Sequence, residues 1–153
     1  MDIRIFIDAD ACPVRSETYR VAERHNIDVI VVSNSFLRVP KHPQISGVVV
    51  SSDFDAADDY IAERATPQSV IITSDILLAE RCLKAGAKVL APSGKAFDNE
   101  SIGAAIAVRA IMADLRAGAE QPNLGGPAPF SPRDRSRFLE ALHLVLERLK
   151  RQR

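Results

Sequence analysis

Residues 3–13, Ile3-Arg4-Ile5-Phe6-Ile7-Asp8-Ala9-Asp10-Ala11-Cys12-Pro13, decide how this chain folds. A nearly continuous apolar run stops at two carboxylates set one residue apart. A proline then stands where a helix takes its first residue. Apolar runs with little alternation fit strands covered on both faces, as in a parallel sheet between layers of helices. In open sheets of that kind, ligands gather beyond the carboxyl ends of the strands. Asp8 and Asp10 are therefore expected at the working edge of an α/β domain.

Outward from this segment the pattern repeats. Further strand-like runs lie at 29–32, 48–50, 70–72 and 88–90. Helices are expected over 13–25, 54–64 and 76–84, with Pro67 beyond the second and Gly86 where the third should turn off. Strand and helix in alternation predict a parallel sheet of five strands flanked by helices. The exception is 33–46, which holds Pro40 and Pro43 and no helical period; it reads as a long surface loop, a lid. Past the fifth strand, Ile102, Ile106, Ile111, Met112 and Leu115 are read as one face of a long helix ending before Gly118. A connector rich in glycine and proline, 118–130, leads to Ser131-Pro132, the cap and first residue of a last helix. Phe138, Leu142, Val145 and Leu149 form its apolar stripe. Arg133, Arg135, Arg137, Arg148, Lys150, Arg151 and Arg153 form its basic face.

The 153 residues suit one domain, with an α/β core over 1–97 and a helical extension over 98–153. Lys plus Arg number 20 and Asp plus Glu 20, so the net charge is zero and bulk charge cannot hold a nucleic acid. A polyanion would need a local patch; Arg15, Arg38, Lys41 and the last helix offer one. Cys12 and Cys82 are read as free thiols of a reducing compartment. No basic segment leading into an apolar one opens the chain, and no apolar run is long enough for a bilayer, so the expected location is the cytoplasm, with no membrane partner.

The chemistry is expected among aspartates. Asp8 and Asp10 end the first strand. Thr73-Ser74-Asp75 ends the fourth, and Asp53, Asp55, Asp58 and Asp59 surround the start of the second helix. Asp55 shares a helix face with Asp58 or Asp59. Two carboxylates about 4 Å apart repel by roughly 4 kcal/mol at an effective dielectric near 20. Such a group either takes up protons or is neutralised by a cation. Ligands offering only oxygen suit Mg²⁺ or Mn²⁺ better than Zn²⁺. Plainer accounts exist for some of these acids. Asp55, Asp58 and Asp59 also suit the positive end of a helix dipole, Asp53 a loop, and Asp75 a helix cap. Asp8 is harder to dismiss, since a carboxylate ending an apolar strand is costly without a partner. Cys12 is read as a small buried residue and His42 as a solvated loop residue. His25, His42 and His143 have no triad spacing.

Residues 8–13 and the segments Phe54-Asp55-Ala56-Ala57-Asp58-Asp59-Tyr60-Ile61 and Ile71-Ile72-Thr73-Ser74-Asp75-Ile76-Leu77-Leu78-Ala79 together resemble the YaiI/YqxD family of bacterial proteins. So do 98–102, Arg109, Leu115-Arg116, Gly125-Gly126-Pro127 and Arg133-Asp134-Arg135. Leu77 departs from the family, which often has proline there. That family looks like a branch of the PIN-like nucleases. The resemblance implies a three-layer domain with strand order 3-2-1-4-5 and two added C-terminal helices. It also implies a Mg²⁺ or Mn²⁺ site on Asp8, Asp55 with Asp58 or Asp59, and Asp75.

The leading expectation is a metal-dependent ribonuclease. Asp8, Asp10, Asp55, Asp59 and Asp75 are its catalytic acids, and Asp8, Asp58, Asp59 and Asp75 its metal ligands. Asn34, Thr73 and Ser74 are set against the phosphate. A haloacid-dehalogenase-like phosphatase is the rival, with Asp8 as nucleophile, Asp10 as general acid and Ser33 on the phosphate. Against it, Pro13 leaves little room for that fold's flap, and no well-placed lysine precedes Asp75. The third reading is an RNA-binding module without chemistry. The neutral charge favours it somewhat over a robust nuclease.

Overall fold

The computed structural model describes residues 2–10, 12–118 and 129–152. Ala11, Arg153 and most of the expected 118–130 connector, Gly125-Gly126-Pro127 included, lie outside the described residues.

Among the described residues six strands form one sheet: β1 (Arg4–Asp8), β2 (Asp28–Ser33), β3 (Ile45–Val49), β4 (Ser69–Ile72), β5 (Lys88–Leu90) and β6 (Ala96–Phe97), in the order β3-β2-β1-β4-β5-β6. The first five are parallel, as expected; β6 runs antiparallel to β5. The sequence reading had no sixth strand, because two residues are too few to display a period of two.

Five helices among the described residues cover the sheet: α1 (Arg15–His25), α2 (Ala56–Arg64), α3 (Ile76–Lys84), α4 (Asn99–Gly118) and α5 (Pro132–Arg151). Strand residues alternate between two cores. Ile5 and Ile7 point to one face with Val29, Val31, Val70 and Ile72, where α1 and α5 pack. Phe6, Val32 and Ile71 point to the other, against Ala57 and Ile61 of α2, Leu78 and Cys82 of α3, and Ile102 of α4. The strand order reverses between β1 and β4, and their carboxyl ends lie side by side there.

Local chemistry sets the helix ends. α3 closes with Gly86 at φ 86°, its N–H donating to the Leu83 carbonyl and that of Ala87 to the Cys82 carbonyl, so a residue without Cβ is needed. α5 opens on a capping box: Ser131 Oγ accepts from the Asp134 N–H, and Asp134 Oδ2 accepts from the Ser131 N–H. The helix then buries Phe138, Leu142, Leu146 and Leu149.

Two expectations need correcting. Segment 33–46 is fastened down rather than a free lid: Leu37 and Val39 pack on the α1–α5 core, and His42 Nε2 lies 3.2 Å from Glu23 Oε1. The apolar residues of α4 do not share a face. Ile102 is buried, but Ile111 is 58% and Leu115 50% exposed. Nine residues turn a helix through about two and a half revolutions, so Ile111 stands opposite Ile102.

Candidate metal centre

Thr73 organises the junction of β1 and β4. It follows the last residue of β4, is 2% exposed, and donates its hydroxyl proton to Asp8 Oδ2 at 2.8 Å. Thr73 Oγ1 in turn accepts the Asp75 N–H at 3.0 Å. One hydroxyl thus fixes the direction of Asp8 and the backbone at Asp75. Asp75 caps α3, its Oδ1 accepting from the N–H groups of Leu77 at 2.9 Å and Leu78 at 3.2 Å. The cap function considered for Asp75 is therefore present, with the carboxylate still facing the cleft.

An open cleft of about 870 Å³ lies over this junction. It brings together Asp8, Asp10, Asp55, Asp58 and Asp75, with Asn34 and Ser74 beside them. Burial raises the pKa of Asp8; the Thr73 hydrogen bond opposes the shift, and the charges of Asp75 and Asp10 add to it. Asp58 is pushed up to about 6, first by burial and then by the negative charges of Asp75, Asp8 and Asp55. Asp55 precedes α2 in the left-handed region, φ 68°, without capping the helix through its side chain. Aspartate tolerates that conformation better than most residues.

Other predicted site residues are elsewhere. Asp59 does not line the cleft. It is about a quarter-turn from Asp58 on α2, and its Oδ1 accepts from Arg81 Nη1 at 2.8 Å. Thr73 is buried beneath Asp8 and supports it rather than facing a substrate. Asp53 bonds with Ser51, and Ser33 Oγ accepts from the Ser35 N–H. Burial raises the Cys12 thiol and pushes Cys82 up to about 12, which keeps both protonated. Among the basic residues, Arg135 is occupied: it donates to the Pro13 carbonyl at 2.8 Å and pairs with Glu17. Arg15 and Arg38 border a separate hollow beside Tyr19.

Arg109 and Arg116, quoted above only for the family resemblance and given no site role, line the cleft from α4. The signal was the spacing 102, 109, 116, which returns to one helix face every two turns. Ile102 anchors that face in the core. The cleft-lining Phe54, 93% exposed, was also passed over.

The tightest set of metal-capable side chains among the described residues lies at the other edge of the sheet. The ligand atoms of His25, His143 and Glu147 fall within 4.8 Å of one another. His25 Nε2 is 2.9 Å from His143 Nδ1; the Nδ1 of His25 has no hydrogen-bond partner among the described residues and lies 3.6 Å from Glu147 Oε1. Burial, with the charge of Lys150 next, lowers the His25 pKa. The imidazole is thereby kept neutral, but Lys150 also disfavours a cation there.

Residues 6–148 match the profile of a family described as uncharacterised BCR, YaiI/YqxD family. The chain is similar to a UPF0178 protein of Sphingopyxis alaskensis, 65% identical over 147 residues, covering 96% of this chain and 95% of that one. It is also similar to UPF0178 proteins of Rhodopseudomonas palustris strain HaA2 (56% over 150 residues, 98% and 90% covered) and Bradyrhizobium diazoefficiens (55% over 150, 98% and 89%). No helix among the described residues is long and apolar enough to cross a membrane.

Proposed function

Since the chain belongs to the YaiI/YqxD family, whose description assigns no reaction, the function must come from the site, and we propose a divalent-metal-dependent nuclease acting on RNA. One observation carries this reading. Asp8, Asp58 and Asp75 meet in a cleft where none of them forms an ion pair among the described residues, though Arg109 and Arg116 also line it, while the adjacent Asp59 pairs with Arg81. Acids arranged only for stability would be expected to pair as Asp59 does. Crowded carboxylates left unpaired favour a cation, and a donor set of oxygens alone fits Mg²⁺ or Mn²⁺.

In this reading Asp8, Asp58 and Asp75 hold the ion, and Asp10 and Asp55 border it. Such an ion, when bound, activates water and stabilises charge on a phosphodiester. The residues of the chain orient the reaction. Thr73 keeps Asp8 turned toward the cleft, and Asn34 and Ser74 offer an amide and a hydroxyl to phosphate oxygens. The resemblance to PIN-like nucleases, the expectation of one domain over 1–153 and the cytoplasmic location suggested by free thiols agree with this role. The phosphatase reading gains nothing: Ser33, its phosphate hydroxyl, does not line the cleft.

The test is cleavage of a labelled single-stranded RNA by purified protein with Mn²⁺, with Mg²⁺ and with chelator. Cutting should need the ion and disappear in Asp8→Asn and Asp75→Asn. Hydrolysis of an aryl phosphate without RNA cutting would replace the reading by a phosphatase. Salt-sensitive RNA retention with no cutting would leave a binding module.

A further inference from the structure

A cleft floored by carboxylates repels the strand a nuclease must hold, so the grip has to come from its walls. α4 supplies the charge. Arg109 and Arg116 line the cleft, are exposed, and form no ion pair among the described residues. They are seven residues apart, about 10 Å along the axis, on the face that Ile102 anchors in the core. The overhanging half of α4 thus carries two cations along the cleft wall.

The lining of the same cleft also carries an aromatic ring. Phe54 is 93% exposed, precedes the left-handed Asp55, and lines the cleft together with the acids. An apolar ring displayed at this place is poorly explained by packing, since it belongs to neither core. A flat face next to a phosphate-reading wall is the arrangement by which single strands are held without regard to sequence. A duplex keeps its bases stacked inside and has none to offer the ring.

We propose that the cleft binds single-stranded nucleic acid, with a base stacked on Phe54 and successive phosphates held by Arg109 and Arg116 over the aspartates. The proposal rests on the nuclease reading for the position of the scissile phosphate, but its recognition elements lie outside the metal ligands. Discrimination between single strand and duplex is then built into the cleft, with little discrimination among bases.

The test is fluorescence anisotropy of the full chain with a labelled 12-nucleotide oligouridylate, and with a blunt duplex of equal length, in Mg²⁺ over a salt series. Wild type should prefer the single strand. Phe54→Ala should weaken its binding about tenfold, and Phe54→Trp should restore it. The double change Arg109→Ala and Arg116→Ala should reduce the salt slope by up to about 1.4, at 0.7 for each phosphate contact on a single strand. Equal binding of duplex, an unchanged Phe54→Ala affinity, or an unchanged slope would overturn the proposal. Failure of the nuclease reading looks different: no Mn²⁺-dependent cutting, with the Phe54 and arginine effects on binding intact.

Discussion

Thr73 Oγ1 lies 2.8 Å from Asp8 Oδ2, reaching from the end of one strand to the end of its neighbour. That hydroxyl also receives the Asp75 N–H. Thr73→Val keeps the shape and removes both bonds, leaving a partly buried acceptor and a backbone donor unmatched. The expected loss is about 1–3 kcal/mol in urea unfolding, with most of it recovered in Thr73→Ser. Equal stability of the valine variant and wild type would show that the hydroxyl is not a structural tie.

Asp58 and Asp59 are adjacent in sequence and should separate in function. Millimolar Mn²⁺ should raise the melting temperature of the wild type, because an ion that binds only the native state stabilises it. Asp8→Asn and Asp58→Asn should abolish the rise. Asp59→Asn should keep it and cost no more than about 1 kcal/mol, the usual range for an exposed ion pair such as Asp59–Arg81. A shift lost in Asp59→Asn but kept in Asp58→Asn would reverse the assignment.

Acidity should act on the metal-free protein through Asp58, whose folded pKa of about 6 exceeds the ordinary 3.8. Between those values the native state binds more protons than the unfolded one. The contribution of Asp58 is therefore fully present below pH 3.8 and is lost as the pH rises through 6. Asp8 acts in the same direction. His25 acts oppositely: its lowered pKa gives a contribution present above 6.5 and lost as the pH falls. The informative quantity is thus the melting temperature of Asp58→Asn minus that of wild type. It should grow from pH 4 to pH 7 in chelator and turn negative in millimolar Mg²⁺, where only the wild type gains from the ion. A difference independent of pH would remove Asp58 from the charged cluster.

His25 and His143 provide a control for location. Leucine at either position should leave the Mn²⁺ shift in place if the ion binds at the aspartates. Loss of the shift in the histidine variants, with Asp8→Asn unaffected, would move the site to the other edge of the sheet.

Gly94 sits at φ 89° in the turn between β5 and β6, and a Cβ there would lie 2.7 Å from the Arg137 carbonyl carbon. Gly94→Ala combines backbone strain with a clash against α5 and should cost about 2 kcal/mol or more in thermal unfolding. A neutral result would mean that α5 can draw back from the hairpin.

The sheet could be read from the sequence because β1, β2 and β4 are buried on both faces and show it as short runs of Ile, Val and, in β1, Phe6. The acids at 8, 10 and 75 could be placed at the cleft because each lies within three residues of the carboxyl end of such a run. The choice between Asp58 and Asp59 could not, since either fits a helix start and only the position of Arg81 separates them. Thr73 was assigned a substrate because its type and place suit one; its burial depends on the neighbouring strand. Arg109 and Arg116 were hidden because the apolar residues of α4 were grouped as one stripe, although Ile102 and Ile111 face opposite ways. Reading that helix by its angle rather than by its composition would have put both arginines on the inward side.

The burial of Phe138, Leu142, Leu146 and Leu149 against β1, β4 and β5 has a consequence for biosynthesis. When residues 1–97 have left the ribosome, every described strand exists, yet one side of the sheet has only α1 to shield it. The nascent chain must wait with isoleucines and valines bare until some fifty further residues have been added, about 3–10 s at ordinary elongation rates. During that interval it is a natural client for chaperones, and a ribosome that stalls before residue 138 releases a sticky sheet rather than a smaller working protein.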